Sequence, residues 1–197
     1  MSVVLDRHEL LSLLQSGEVV IIPTDTLPGM AALPAHAHRI WGLKHRPADK
    51  PLILMGATVD ALLQNVDQRC HADAAVLAER HWPGPLTLVL PARTGWVKQL
   101  NPGGLSLGCR IPACTQTKQL LAESGPLATS SANLSGQPAS SNEVEAARQF
   151  PGIAQLGPQP WSAHSGQAST VLEWCGQNTW RCLRRGAVMP EGMNELN

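Results

Sequence analysis

The strongest constraint this chain places on its own fold is the alternation of short apolar runs with stretches of helical period. Val19-Val-Ile-Ile-Pro23 is β-branched and apolar throughout, so a strand there must be covered on both faces. It runs into the turn-rich Thr24-Asp-Thr-Leu-Pro-Gly29. Leu52-Ile-Leu-Met55 repeats the pattern, and further strands are expected over Leu86–Leu90, Leu105–Ile111 and Leu127–Ser130. Between them lie helical patterns. Asp6 and Glu9 form a capping box for a helix over 6–16, with Leu10 to Leu14 as its apolar face and Gly17 as its stop. Ile40, Trp41 and Leu43 mark a second helix over 35–45 that ends before Pro47, and others are expected over Val59–Gln64, Ala72–His81, Thr115–Ser124 and Asn142–Phe150. Helices interleaved with buried strands make an α/β sheet with helices covering it. Ser169–Trp174 and Thr179–Arg184 flank Cys175-Gly-Gln-Asn178 as an antiparallel hairpin, which makes the sheet a mixed one. With 197 residues, no internal repeat and no long linker, the expectation is one domain over 1–188 and a tail over 189–197, with Ser162–Ala168 as a mobile loop.

Composition narrows the functional classes. Fifteen Lys and Arg balance fifteen Asp and Glu, so nothing in bulk draws the chain to nucleic acid or membrane, and any anion site must be a local cluster. The five cysteines are scattered without a Cys-x-x-Cys pair, which indicates neither a disulfide framework nor a zinc ribbon and fits a reducing cytoplasm. The opening Met-Ser-Val-Val-Leu-Asp-Arg-His-Glu lacks a signal pattern, and no apolar run reaches membrane-spanning length. The six Trp are dispersed as core anchors rather than gathered as a base-stacking row. The His residues are isolated, and His36 and His38 project to different sides of a helix, so no protein-built metal site is expected. A G-x-S-x-G elbow, a P-loop and a dinucleotide-type G-x-G-x-x-G are all absent.

Several segments could still carry chemistry. Lys44, Arg46 and Lys50 lie at a helix end and the loop after it; they read either as cations complementing a helix C-terminus or as a phosphate clamp. Leu127-Ala-Thr-Ser-Ser-Ala-Asn-Leu-Ser-Gly136 follows a buried strand with small hydroxyl and amide side chains. It is either an ordinary turn before a helix capped near Ser141 or a wall where Ser131 and Asn133 bond phosphate or ribose. Arg110 sits in the apolar Leu107-Gly-Cys-Arg-Ile-Pro112, where it needs a carboxylate or phosphate partner unless the strand is a solvated edge. Arg184 and Arg185, beside Gly186, pose the same choice.

Taken in order, these segments resemble the YrdC family of threonylcarbamoyl-AMP synthases. The resemblance is carried by Pro23-Thr-Asp-Thr26, Lys44-His-Arg-Pro47 with Lys50-Pro-Leu52, Trp82-Pro-Gly-Pro-Leu-Thr87, Arg110-Ile-Pro112, Ser131-Ala-Asn-Leu-Ser-Gly136, Ser169-Thr-Val171 and Leu183-Arg-Arg-Gly186. It implies a twisted mixed parallel and antiparallel sheet with outer helices around a large concave basic cavity, in the short, single-domain branch of the family. It implies an enzyme that joins L-threonine, bicarbonate and ATP into threonylcarbamoyl-AMP and pyrophosphate for tRNA modification. Magnesium would be carried by the ATP phosphates, and tRNA and a downstream threonylcarbamoyl transferase complex would be the partners. Lys44, Arg46 and Arg110 would be catalytic. Lys44, Arg46, Lys50, Ser106, Ser131, Asn133 and Arg184 would hold the nucleotide, and Thr26, Met55, Arg110, Thr129 and Ser169 the amino acid.

Two departures fall on the amino-acid side. The family usually has an aromatic residue and then Gly after Thr26, where this chain has Leu27-Pro28-Gly29; a His often stands where this chain has Met55. The competing expectations are a non-catalytic binder of double-stranded RNA with the same fold, and a diverged nucleotide-binding paralogue with another acceptor.

Overall fold

The computed structural model describes residues 3–93, 95–162 and 164–191. In chain order the elements are β1 (Val3–Leu5), α1 (Arg7–Gln15), β2 (Val20–Ile22), β3 (Gly29–Ala32), α2 (His38–Lys44), β4 (Ile53–Met55), α3 (Val59–Leu63) and α4 (His71–His81). They continue with β5 (Leu86–Pro91), α5 (Gly95–Leu100), β6 (Ser106–Arg110), α6 (Thr115–Ser124), β7 (Leu127–Ser131), α7 (Glu143–Gln149), β8 (Ala154–Leu156), β9 (Thr170–Gly176) and β10 (Thr179–Arg184). The ten strands form one sheet in the order β1-β8-β2-β3-β7-β4-β6-β5-β9-β10. The pairs β1 with β8, β2 with β8, β4 with β6 and β5 with β9 are parallel and the others antiparallel, the mixed sheet expected from the sequence.

Local chemistry accounts for several boundaries. Asp6 Oδ1 accepts from Glu9 N at 2.9 Å and Glu9 Oε2 accepts from Asp6 N at 3.0 Å, so the box at the start of α1 satisfies two N–H groups that a helix leaves unpaired. The hairpin between β9 and β10 turns on Gln177 and Asn178, whose φ values of 47° and 55° are the left-handed pair that a tight two-residue turn needs. Asp73 on α4 fixes that turn, accepting from Trp174 Nε1 and Asn178 N, each at 2.7 Å. The expected tail lies outside the described residues from 192 onward, and Pro190 within it is buried.

Each sheet face meets a different set of helices. Ile21, Met30, Leu54, Leu88, Cys109, Ala128 and Leu172 pack with Ile40 and Trp41 of α2, Leu62 of α3, Leu77 and Ala78 of α4, Val97 and Leu100 of α5, and Ala146 of α7. The opposite face is clustered only in part: Val20, Ile22, Ala31, Met55, Leu127, Ala154 and Leu156 pack under Leu10 and Leu14 of α1 and Leu120 and Leu121 of α6. Among the described residues the helices of this cluster are α1 and α6, and the site opens on the same face over the central strands, from β7 through β4, β6 and β5 to β9.

Candidate functional site

Side chains on a strand alternate between faces, so residues two apart on the central strands share the face on which the site opens. Ile53 and Met55 of β4, Thr87 and Val89 of β5, Ser106, Gly108 and Arg110 of β6, Thr129 and Ser131 of β7, and Val171 and Glu173 of β9 all line one cavity of about 640 Å³. Register aligns them in rows: Met55 pairs with Arg110, while Ile53 and Val89 both pair with Gly108. A methyl group at position 108 would sit 2.6 Å from Ile53 Cδ1, so glycine there keeps the middle of the floor low.

Three guanidiniums reach this cavity, from three separate segments. Arg110 is 3% exposed, and its strand is central, so the solvated-edge alternative is excluded. Its Nε donates to Gly84 O at 3.0 Å, Nη1 to Thr26 Oγ1 at 2.9 Å and Nη2 to Asp25 Oδ1 at 2.8 Å. The carboxylate that a buried arginine requires is therefore Asp25, which also accepts from Ala113 N at 2.9 Å. Arg184 donates from Nε to Ser169 O and from Nη2 to Ser169 Oγ, both at 3.0 Å, and Ser169 Oγ lies 2.8 Å from Thr87 Oγ1. Arg46 donates from Nε to Lys50 O at 3.2 Å and from Nη2 to Pro51 O at 3.1 Å. Burial lowers the pKa of all three; the charge of Arg184 adds to the lowering at Arg46 and Arg110, while Asp49 and Asp25 oppose it there. Arg46 and Arg110 each feel Arg184 across a pocket whose lining includes one carboxylate, Glu173, already bonded to Arg181, which leaves a positive field for an anionic ligand to meet.

The serine-rich segment forms the adjoining wall. Ser131 Oγ donates to Asn133 Oδ1 at 2.5 Å, and Asn133 Nδ2 donates to Leu134 O and Gln137 O, each at 2.9 Å. α7 begins just beyond, capped by Asn142, whose Oδ1 accepts from Glu145 N at 2.9 Å.

Of the residues singled out in the sequence, Thr26, Arg46, Met55, Ser106, Arg110, Thr129, Ser131, Asn133, Ser169 and Arg184 come together on the cavity. Lys44 and Lys50 do not line it. Lys50 is exposed, and its carbonyl accepts from Trp41 Nε1 at 3.0 Å. Lys44 follows Ile40 and Trp41 on the buried side of α2 and is 1% exposed. Its ammonium donates to the carbonyls of Ser131 and Asn133, behind the wall. Asp25, Thr24, Thr87 and Gln137 were not singled out; Thr24, Thr87 and Gln137 line the cavity, and Asp25 stands behind Arg110. Among the described residues no group of three or more His, Cys, Asp or Glu is placed to hold a metal ion, and no helix is long and apolar enough to cross a membrane.

A mixed sheet with a cavity over its central strands, lined by guanidiniums, hydroxyls and a serine-rich loop, defines an α/β protein whose pocket is suited to an anionic ligand. The family model for Sua5/YciO/YrdC, described as "Telomere recombination", matches residues 12–186, and the chain belongs to that family. It is similar to the threonylcarbamoyl-AMP synthase of Pyrococcus abyssi, 36% identical over 165 residues that cover 81% of this chain and 48% of that protein. The threonylcarbamoyl-AMP synthase of Aliivibrio fischeri is 31% identical over 186 residues, 91% of this chain and 98% of that one. Among solved structures, Sua5 of P. abyssi complexed with L-threonine superposes with a TM-score of 0.85 at 29% identity, covering 94% of this chain and 57% of the other. The chain thus spans about half the length of the Pyrococcus relative and nearly all of the Aliivibrio one.

Proposed function

We propose that this chain is a cytoplasmic threonylcarbamoyl-AMP synthase, with residues 1–188 as one catalytic domain. It makes threonylcarbamoyl-AMP and pyrophosphate from L-threonine, bicarbonate and ATP, and supplies the adenylate to a transferase complex that modifies tRNA. Convergence of Arg46, Arg110 and Arg184 on one cavity beside the Ser131–Asn133 wall carries this assignment. The names of the relatives and the threonine in the P. abyssi structure support it.

The chemistry needs two anions to meet. Threonine's amine adds to bicarbonate with loss of water to give a carbamate. A carbamate oxygen then attacks the α-phosphorus of ATP, and the bond to the bridging oxygen of pyrophosphate breaks. Magnesium arriving with ATP would draw charge from its phosphates. No side-chain nucleophile is required, so the protein contributes position and field. Arg46 and Arg184 face the phosphates, with the Ser131–Asn133 wall and Ser106 lining the same cavity. Arg110 has five N–H donors, and Gly84, Thr26 and Asp25 take three, which leaves one on each terminal nitrogen for a carboxylate. Thr26, Thr129, Ser169 and Met55 complete the amino-acid side.

Pyrophosphate release in the presence and absence of each substrate tests this assignment. Release should need threonine, bicarbonate and ATP together. Arg110→Ala should lower kcat/KM for threonine by about tenfold to a thousandfold. Equal release without threonine would sink the assignment. RNA retention that falls steeply with salt, with no pyrophosphate formed, would replace it with the RNA-binding reading. A second reading, the same chemistry on another amino acid, is favoured by Leu27 and Met55, which both line the cavity. A panel of amino acids in the same assay separates the two.

A further inference from the structure

Glu173 is the one carboxylate among the described residues that line the cavity, in company otherwise chosen to draw an anion. It belongs to β9, in register with Val89 of β5 on one side and Arg181 of β10 on the other. Arg181 places two donors on a single oxygen: Nε at 2.9 Å and Nη2 both bond Oε2. Among the described residues no donor reaches Oε1, and the side chain is 28% exposed. An ionised carboxylate only accepts, so Oε1 is an unused acceptor in a pocket whose other charged groups donate.

The position of Glu173 on the floor decides which part of a ligand it meets. Arg184 bonds Ser169 and Arg110 bonds Gly84 O, just before β9 and β5 begin. Glu173 lies further along β9 than Ser169 by about 13 Å at the rise of a strand. A threonine held by Arg110 does not span that length, whereas a nucleoside triphosphate with its phosphates at Arg184 does. A carboxylate repels phosphate, so the part of the nucleotide beside it must be one with hydrogens to donate. Val89, Val171 and Leu183, the last 50% exposed, put apolar surface next to it for a base. The ribose hydroxyls lie between base and phosphates, and an acidic side chain is the group that reads them elsewhere.

We propose that Glu173 selects a ribonucleotide, its Oε1 accepting from a ribose hydroxyl of ATP while Arg181 holds Oε2 and fixes the side chain. This deepens the nucleotide site proposed above and rests on it.

Pyrophosphate release with ATP, 2′-deoxy-ATP and 3′-deoxy-ATP, at saturating threonine, bicarbonate and magnesium, tests the proposal. The proteins are the wild type, Glu173→Ala, Glu173→Gln and Arg181→Met. For the wild type, kcat/KM should be about tenfold to a hundredfold lower with the analogue that lacks the bonded hydroxyl. Glu173→Ala should bring kcat/KM for ATP down to that of the analogue, so that the preference disappears. Glu173→Gln keeps an acceptor and should retain part of it. A preference that survives Glu173→Ala would overturn the proposal; equal losses of urea stability in Glu173→Ala and Arg181→Met would then make the pair a cross-strand brace. A raised magnesium requirement in Glu173→Ala, with the preference intact, would overturn it by assigning the carboxylate to the metal. A wild type that uses both analogues as well as ATP would overturn it with no substitution made, so the proposal can fail even if a variant does not fold. Each of these outcomes leaves the nucleotide site standing, whereas a wild type that releases no pyrophosphate and binds no ATP ends both.

Discussion

Arg110 occupies the middle of a ten-stranded sheet because Asp25 stands behind it. Their side chains are 4% and 16% exposed, so removal of either leaves a charge with little water to answer it. Asp25→Ala is expected to destabilise the fold by about 3 kcal/mol, measured by urea denaturation, and to raise KM for threonine by loosening Arg110. Arg110 was legible as a guanidinium in need of a partner, since its neighbours in sequence are apolar. The partner was not legible, because Asp25 lies 85 positions earlier in a segment that reads as a turn. Thr87 and Ser169, 82 positions apart, escaped as a pair for the same reason. Lys44 shows the opposite case: helical spacing after Ile40 and Trp41 places it on the buried side of α2, and that period outweighed its place in a run of cations.

At the scale of elements, the parts with strong local chemistry were legible. The capping box of α1, the hairpin near the end and the helix over Thr115–Ser124 stand where capping, turn residues and period put them, though β9 runs on to Gly176 and shortens the expected connection over 175–178 to Gln177 and Asn178. β8 is Ala-Gln-Leu and β3 is Gly-Met-Ala-Ala, so neither carries a β-branched side chain, and β1, Val-Val-Leu, is too short to show a period; pairing of β1 with β8 and of β3 with β2 and β7 makes them strands. The hairpin of β9 and β10 matters most to the site, since β10 ends at Arg184 and β9 begins beside Ser169. Asp73 anchors its far end through Trp174 and Asn178. Asp73→Ala should cost about 1–3 kcal/mol and speed amide exchange at Asn178, with a smaller rise in KM for ATP as Arg184 loses its fixed setting.

At the scale of the whole molecule, one buried cation should be visible in stability against pH. Between about 7 and 10.5 the folded chain binds less proton at Lys44 than the unfolded chain does, so stability contributed by this group rises with pH across that window. Below about 7 both states are protonated there, and the cost of burying the charge is present in full. The urea midpoint of the wild type should therefore gain on that of Lys44→Met as pH climbs from about 7 toward 10, with other groups cancelling in the difference. A difference that stays flat would mean the ammonium is no harder to hold inside than in water. The layout of the sheet has a further bearing on how the chain matures. β8 lies between β1 and β2, and β9 completes the far side of β5, so the opening strand and the cavity alike wait on residues beyond 150. On the ribosome, the first half of this chain has no partner for its leading strand and no second shore for its pocket; the binding hollow comes into being only as the last strands emerge.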